Sequence, residues 1–153
     1  MEQFEIAYNR ALRFLSYRQR SVKEVRDNLA KKQFESDVID QVIQKLLDQK
    51  FLNDAEFTRM WIESRNRSKP KAKRLLLFEL RQKGIGEETV ERMQHSGFRI
   101  QNDLSLAKKI VEKKMTKLKH LERNEIYKKL GGLLGRRGFD FGTIKRAIDD
   151  SMK

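Results

Sequence analysis

The chain repeats its own chemistry three times, and this recurrence limits the fold more than any other feature of the sequence. Ala7, Phe57 and Ala107 fall at a constant offset of 50 residues, and so do Ala11, Trp61 and Val111. Leu29, Leu80 and Leu134 are followed five residues later by Phe34, Ile85 and Phe139, and these precede Ile39, Val90 and Ile144. A period of this length marks a chain in which one small unit stacks on copies of itself, because a single unit has too little apolar surface to fold alone. Three repeats are expected, over 1–52, 53–101 and 102–153.

Within each repeat the apolar residues recur at helical spacing. Ile6, Ala7, Ala11, Leu12, Phe14 and Leu15 predict a first helix, Val22, Val25 and Leu29 a second, and Val38, Ile39, Val42, Ile43, Leu46 and Leu47 a third. The same order returns over 54–65, 71–83 and 87–95, and again over 104–118, 122–134 and 143–152. Ser21 and Glu24 stand at capping-box spacing, and Ser36 or Asp37 is placed to open the third helix. With one proline, Pro70, and few alternating apolar runs, the expected fold is all-α: three tandem three-helix repeats in an elongated, curved array.

Charge then narrows the function. Charged residues make up 37% of the chain, against about 25% in an average globular protein, and 35 Lys and Arg against 22 Asp and Glu give +13 at pH 7. With boundaries at 52 and 101 the repeats carry +2, +4 and +7, so basic character rises along the chain. Such a surplus favours partners with a negative surface. There is no cysteine, and His95 and His120 stand apart, which excludes disulfide, thiolate-metal and cysteine-nucleophile chemistry and gives no metal-ligand cluster. Met1 to Leu15 is interrupted by Glu2, Glu5, Arg10 and Arg13, so it reads as neither signal peptide nor membrane span, and a cytoplasmic protein is expected.

Two basic clusters are the candidate contact residues. Arg65, Arg67, Lys69, Lys71, Lys73 and Arg74 crowd the ten residues joining two helices around Pro70. Lys108, Lys109, Lys113, Lys114, Lys117 and Lys119 form the second, and Lys109, Lys113 and Lys117 share one helix face at a spacing of four. A solvated, solubilising face is the plain alternative. Like charges at that spacing destabilise a helix, however, and each contact they make with phosphate releases counterions. Tyr8, Tyr17 and Tyr127 are candidates for base stacking, with helix packing an equal use.

The run Gly131-Gly132-Leu133-Leu134-Gly135-Arg136-Arg137-Gly138 superficially resembles a phosphate-cradling loop, but no strand precedes it and no Lys-Ser/Thr pair ends it. Gly138 is instead the counterpart of Gly84, at a helix end where positive φ is easy. Gly131 and Gly132 fall inside the helical pattern, which makes the second helix of the third repeat the weakest and predicts that it frays or bends on partner engagement. Trp61 falls at a core position. Asp54, Glu56, Glu63, Asp149 and Asp150 are joined by no nucleophile or base, so helix capping and charge balance are their expected uses and no enzyme is predicted.

Three segments then carry a resemblance. Arg18-Gln19-Arg20-Ser21-Val22-Lys23-Glu24-Val25 is similar to an R-x-R-S-x-x-E-L segment, Phe51-Leu52-Asn53-Asp54-Ala55-Glu56-Phe57 to L-D-D-x-x-F, and Glu79-Leu80-Arg81-Gln82-Lys83-Gly84-Ile85 to E-L-x-x-K-G-I. Together, in order, they resemble the RecX regulatory proteins of bacteria over nearly the whole chain. Asn53 replaces the first Asp of the second segment, Thr58 stands where Ala is usual, and Ala72 where Gly commonly opens the middle helix of the second repeat. The resemblance implies a non-enzymatic modulator without cofactor. Such a protein binds RecA and its filament on single-stranded DNA, mostly inhibits recombinase, ATPase and coprotease activity, and so acts in DNA repair and the SOS response. It would be a monomer with at most weak direct DNA binding. The alternative is a general basic DNA-binding module of helix-turn-helix type.

Overall fold

A computed structural model describes residues 2–153. Among them are nine helices and no strand: α1 (Glu2–Tyr17), α2 (Val22–Lys31), α3 (Ser36–Asp48), α4 (Asp54–Ser68), α5 (Lys73–Gln82), α6 (Glu87–His95), α7 (Asp103–Met115), α8 (Arg123–Arg136) and α9 (Phe141–Ser151). They follow the predicted order as three successive trios. The described residues divide into two compact units, one holding the chain up to Trp61 with Glu79–Gly97, the other Ile62–Phe78 with Phe98–Lys153.

In the first unit the apolar stripes of α1, α2 and α3 close on one another. Ala7 and Ala11 let α1 approach closely, and Val25, Leu29, Ile39, Val42, Ile43, Leu46 and Leu52 fill the space between. Ser21 caps α2 through the predicted box, accepting from the Glu24 N–H while the Glu24 carboxylate accepts from the Ser21 N–H. Helix α3 opens at Ser36, one of the two expected positions, but its N-cap is Glu35 with no side-chain cap bond, and Asp37 lies in its first turn. Asp37 there favours the positive end of the helix dipole without closing a backbone N–H. Trp61 also departs from its expected core place. It is half-buried, tilted on fully buried Phe57 at 5.7 Å, and its indole N–H donates to Glu79 at 3.1 Å. A buried indole needs such a partner, and Glu79 supplies it only at the rim.

In the second unit α7, α8 and α9 surround Leu106, Ala107, Ile110, Val111, Ile126, Leu130, Leu134, Phe139, Ala147 and Ile148, and Ala72 joins them from the connection after α4. Asn102 and Asp140 cap α7 and α9 by accepting first-turn N–H groups. Helix α8 runs unbroken through Gly131, Gly132 and Gly135. Each of these costs about 1 kcal/mol against alanine.

One junction is built twice. Asp54, the first residue of α4, accepts from the Val22 N–H at the start of α2 at 2.9 Å, and Asp103, the first residue of α7, accepts from the Lys73 N–H at the start of α5 at 2.9 Å. Each leading helix thus satisfies a free N–H of the middle helix before it. The glycine that ends the next middle helix packs on the same place: a Cβ on Gly84 would lie 2.7 Å from Lys23 Cβ, and one on Gly138 would lie 3.0 Å from Leu75 Cβ. Both glycines have positive φ, +83 and +90. Their counterpart in the first repeat, Gln33, also has positive φ, 68, but is exposed, so a side chain is tolerated there.

Around the first junction Glu24 collects the cations of the motif segments. Arg18 pairs with it directly, Lys83 Nζ lies 3.5 Å away and Arg20 3.9 Å, while Arg20 also lies 3.8 Å over the Phe14 ring. Burial pushes the Glu24 carboxyl up, but the Arg18 hydrogen bond, the Ser21 N–H and the charges of Arg18 and Lys83 outweigh it and hold the group below its ordinary value. A lowered folded value contributes stability that is present above the unfolded pKa and lost as pH falls through the folded one. Burial raises Asp54 instead, against the Val22 N–H, so its contribution has the opposite sign and is lost as pH rises through its folded value. Glu24→Gln is therefore expected to remove part of the acid-side loss of stability. Urea midpoints followed from neutral into acid pH check this; an unchanged acid slope would assign that loss to other carboxylates.

Candidate functional site

The six basic residues around Pro70 do not sit in one loop. Arg65 and Arg67 belong to the last turn of α4, which extends to Ser68. There they complement the negative helix end. Lys69 and Lys71 flank Pro70 in the short connection, and Lys73 and Arg74 open α5. Pro70 disfavours helical backbone at Lys69 and so ends α4. The connection is held from one side: the Ala72 N–H donates to the Arg137 carbonyl at 2.9 Å, the Arg137 guanidinium reaches the Pro70 carbonyl at 3.5 Å, and Arg74 Nε donates to the Gly138 carbonyl at 2.7 Å. Arg74 is thereby a structural residue.

Helix α7 ends at Met115, so Lys109 and Lys113 share its face while Lys117 lies in the turn that follows, its N–H donating to the Lys114 carbonyl. The two clusters meet in a cleft of about 250 Å³ lined by Asn66, Arg67, Pro70, Gln101, Lys109, Lys113, Lys114 and Arg137, with Leu106 and Ile110 at its floor. Of the predicted residues, Arg67, Lys109 and Lys113 line it; Arg65, Lys69, Lys71, Lys73, Arg74 and Lys117 do not. Lys114 and Arg137 are added.

No carboxylate lines this cleft. Several cations elsewhere are neutralised: Lys23 meets Asp27 at 2.8 Å, Arg26 meets Asp40 at 2.7 Å, and Lys108, one residue before Lys109, meets Asp150 at 2.9 Å. Among the described residues Arg67, Lys109, Lys113, Lys114 and Arg137 form no such pair. Lys109 holds only the neutral Gln101 amide oxygen, at 3.3 Å. Clustered cations with low-dielectric walls and no counter-charge focus a positive field, and an anion with several oxygens relieves their repulsion.

The repeat register explains Arg137. It precedes Gly138 as Lys83 precedes Gly84, and Lys83 faces Glu24. The counterpart of Glu24 in the second repeat, 51 residues on, is Leu75. The second junction keeps the cation and lacks the acid. That signal lay in the sequence, in the repeat alignment rather than in charge density. The tyrosines are placed differently from a stacking platform: Tyr8 stacks on Phe4 at 5.9 Å and donates to Gln49 at 2.6 Å, Tyr17 is exposed, and Tyr127 is half-buried beside Arg123. Among the described residues no helix is long and apolar enough to cross a membrane, and no three His, Asp or Glu side chains converge as metal ligands.

Three trios of helices, joined by a repeated Asp and Gly junction and carrying an uncompensated cationic cleft, define an all-helical tandem-repeat protein. Models of the first, second and third three-helix domains of RecX match residues 7–46, 53–93 and 101–148, and the chain belongs to the RecX family. It is 41% identical over 142 residues to the regulatory protein RecX of Bacillus subtilis (strain 168), covering 93% of this chain and 53% of that protein. It is 34% identical over 144 residues to the regulatory protein RecX of Prosthecochloris aestuarii, covering 94% and 92%. The chain thus spans about half the length of the Bacillus relatives it matches. A crystal structure of RecX from Lactobacillus salivarius shares the fold, with a TM-score of 0.75 at 24% identity over 97% of this chain and 96% of that one.

Proposed function

We propose that this chain is a non-catalytic modulator that binds the RecA recombinase and its filament on single-stranded DNA, and restrains strand exchange, ATP hydrolysis and coprotease activity in DNA repair and the SOS response. It acts by occupancy, as a cytoplasmic monomer that needs no cofactor. The observation that carries the reading is the cleft of Arg67, Lys109, Lys113, Lys114 and Arg137, which no carboxylate neutralises and which fits phosphate or an acidic protein wall. Support comes also from the relatives, which are named regulatory protein RecX.

The test is the DNA-dependent ATPase of purified RecA, titrated with this protein at equimolar amounts and below. Hydrolysis is expected to fall, and to fall less as salt rises, because counterion release weakens with ionic strength. No effect at low salt would end the proposal. Tight, sequence-dependent binding to naked DNA, with no preference for the RecA-coated strand, would place the protein among helix-turn-helix DNA-binding modules instead.

A further inference from the structure

Gly131 and Gly132 have no reason to be glycine inside this chain. Both lie in the regular helix α8, a Cβ on Gly131 would meet no atom within 4 Å, and one on Gly132 would meet only the mobile end of Arg136, at 3.3 Å. They instead form one wall of a cleft of about 590 Å³ between α8 and α9, completed by Tyr127, Ile144, Ile148 and Phe141. Phe141, the first residue of α9, is 78% exposed. A bare stretch of helix backbone facing an exposed aromatic ring is costly in water, and exposed apolar patches of this kind mark binding surfaces.

The rim carries charge of one sign. Lys128 and Lys145 line the cleft and no carboxylate does; Lys145 meets Asp149 at 2.9 Å, whereas Lys128 has no ion pair among the described residues, and Arg123 stands over Tyr127 at 5.8 Å. A second copy of this chain brings another +13, which opposes self-association through this face, and the apolar floor offers nothing to a phosphate backbone. We propose that this cleft docks an acidic amphipathic helix of a partner protein. Aliphatic or aromatic residues at i, i+3, i+4 and i+7 would pack on Phe141, Tyr127 and Ile144, the glycines would let the partner helix come close, and its carboxylates would face Lys128 and Arg123. The inference is independent of the recombinase reading, since it uses none of the residues of the cationic cleft.

The test uses the whole chain and two labelled synthetic peptides of identical composition, one placing Leu and Phe at helical spacing among Glu residues and one with that order scrambled. Fluorescence anisotropy is expected to show the amphipathic peptide binding at least about tenfold more tightly than the scrambled one, and Phe141→Ala or Gly131→Leu each weakening it about tenfold. Phe141 is exposed and Gly131 faces open space, so circular dichroism should show both variants folded. Equal binding of the two peptides would reduce the effect to bulk charge and overturn the proposal. Undiminished binding by both variants would do the same, as would sedimentation showing a wild-type dimer that Phe141→Ala dissolves.

Discussion

Replacing Arg67, Lys109, Lys113 and Lys114 together by Gln is expected to lower affinity for single-stranded DNA about 10²-fold at ~0.1 M salt, and to relieve inhibition of RecA ATP hydrolysis in parallel. Each phosphate contact on a single strand contributes about 0.7 to the slope of log K against log salt, so four contacts account for about 3 in that slope. All four side chains are exposed and none forms an ion pair among the described residues, so the fold should lose under about 0.5 kcal/mol per site. Arg137 is left in place because its guanidinium reaches the Pro70 carbonyl. The matched control is Lys23→Gln with Lys108→Gln, two lysines already paired with Asp27 and Asp150, which should leave the slope nearly unchanged. Equal effects of the two sets would show that net charge, not the cleft, drives binding.

Gly84→Ala is expected to cost about 3 kcal/mol. Positive φ costs an L side chain about 1 kcal/mol or more, and the new Cβ would lie 2.7 Å from Lys23 Cβ, a carbon next to the backbone of α2 that cannot swing aside. The shift this forces also loosens the Glu24 network, since Lys83 immediately precedes the glycine. Gln33→Gly is the converse: it relieves a non-glycine residue at φ 68 in an open position and should be neutral or stabilising by up to about 1 kcal/mol. Urea unfolding of the two variants measures the difference; a loss of less than about 1 kcal/mol for Gly84→Ala would mean that the junction yields easily.

The trios, the capping box at Ser21 and the positive φ of Gly84 and Gly138 were legible in the sequence because they rest on local chemistry: apolar spacing, side-chain reach and the missing Cβ. Charge density likewise pointed to the stretch around Pro70 and to Lys109 and Lys113. What it could not supply was direction. Arg74 turns inward to the Gly138 carbonyl, Lys117 falls past the end of α7, and Arg137, 67 residues from Pro70, reaches back to it. The first two outcomes depend on which backbone groups packing brings near, and spacing holds no record of them; Arg137 was marked only by the repeat alignment that pairs it with Lys83. Trp61 shows the same limit, since its register matches Ala11 and Val111 while its indole N–H needs a polar partner that only a rim position provides.

Glu24 and Leu75 occupy the same place in the register and give the two joints different electrostatics. Both joints carry an aspartate, a glycine and a basic residue ahead of that glycine; they differ in whether an acid faces the basic residue. In the amino-terminal copy Glu24 faces that residue, Lys83, and in the later copy Leu75 leaves Arg137 without a carboxylate, its guanidinium reaching only the neutral Pro70 carbonyl. One position in the register thus decides whether the cation before the glycine is neutralised, while the aspartate and glycine contacts of the two junctions stay alike.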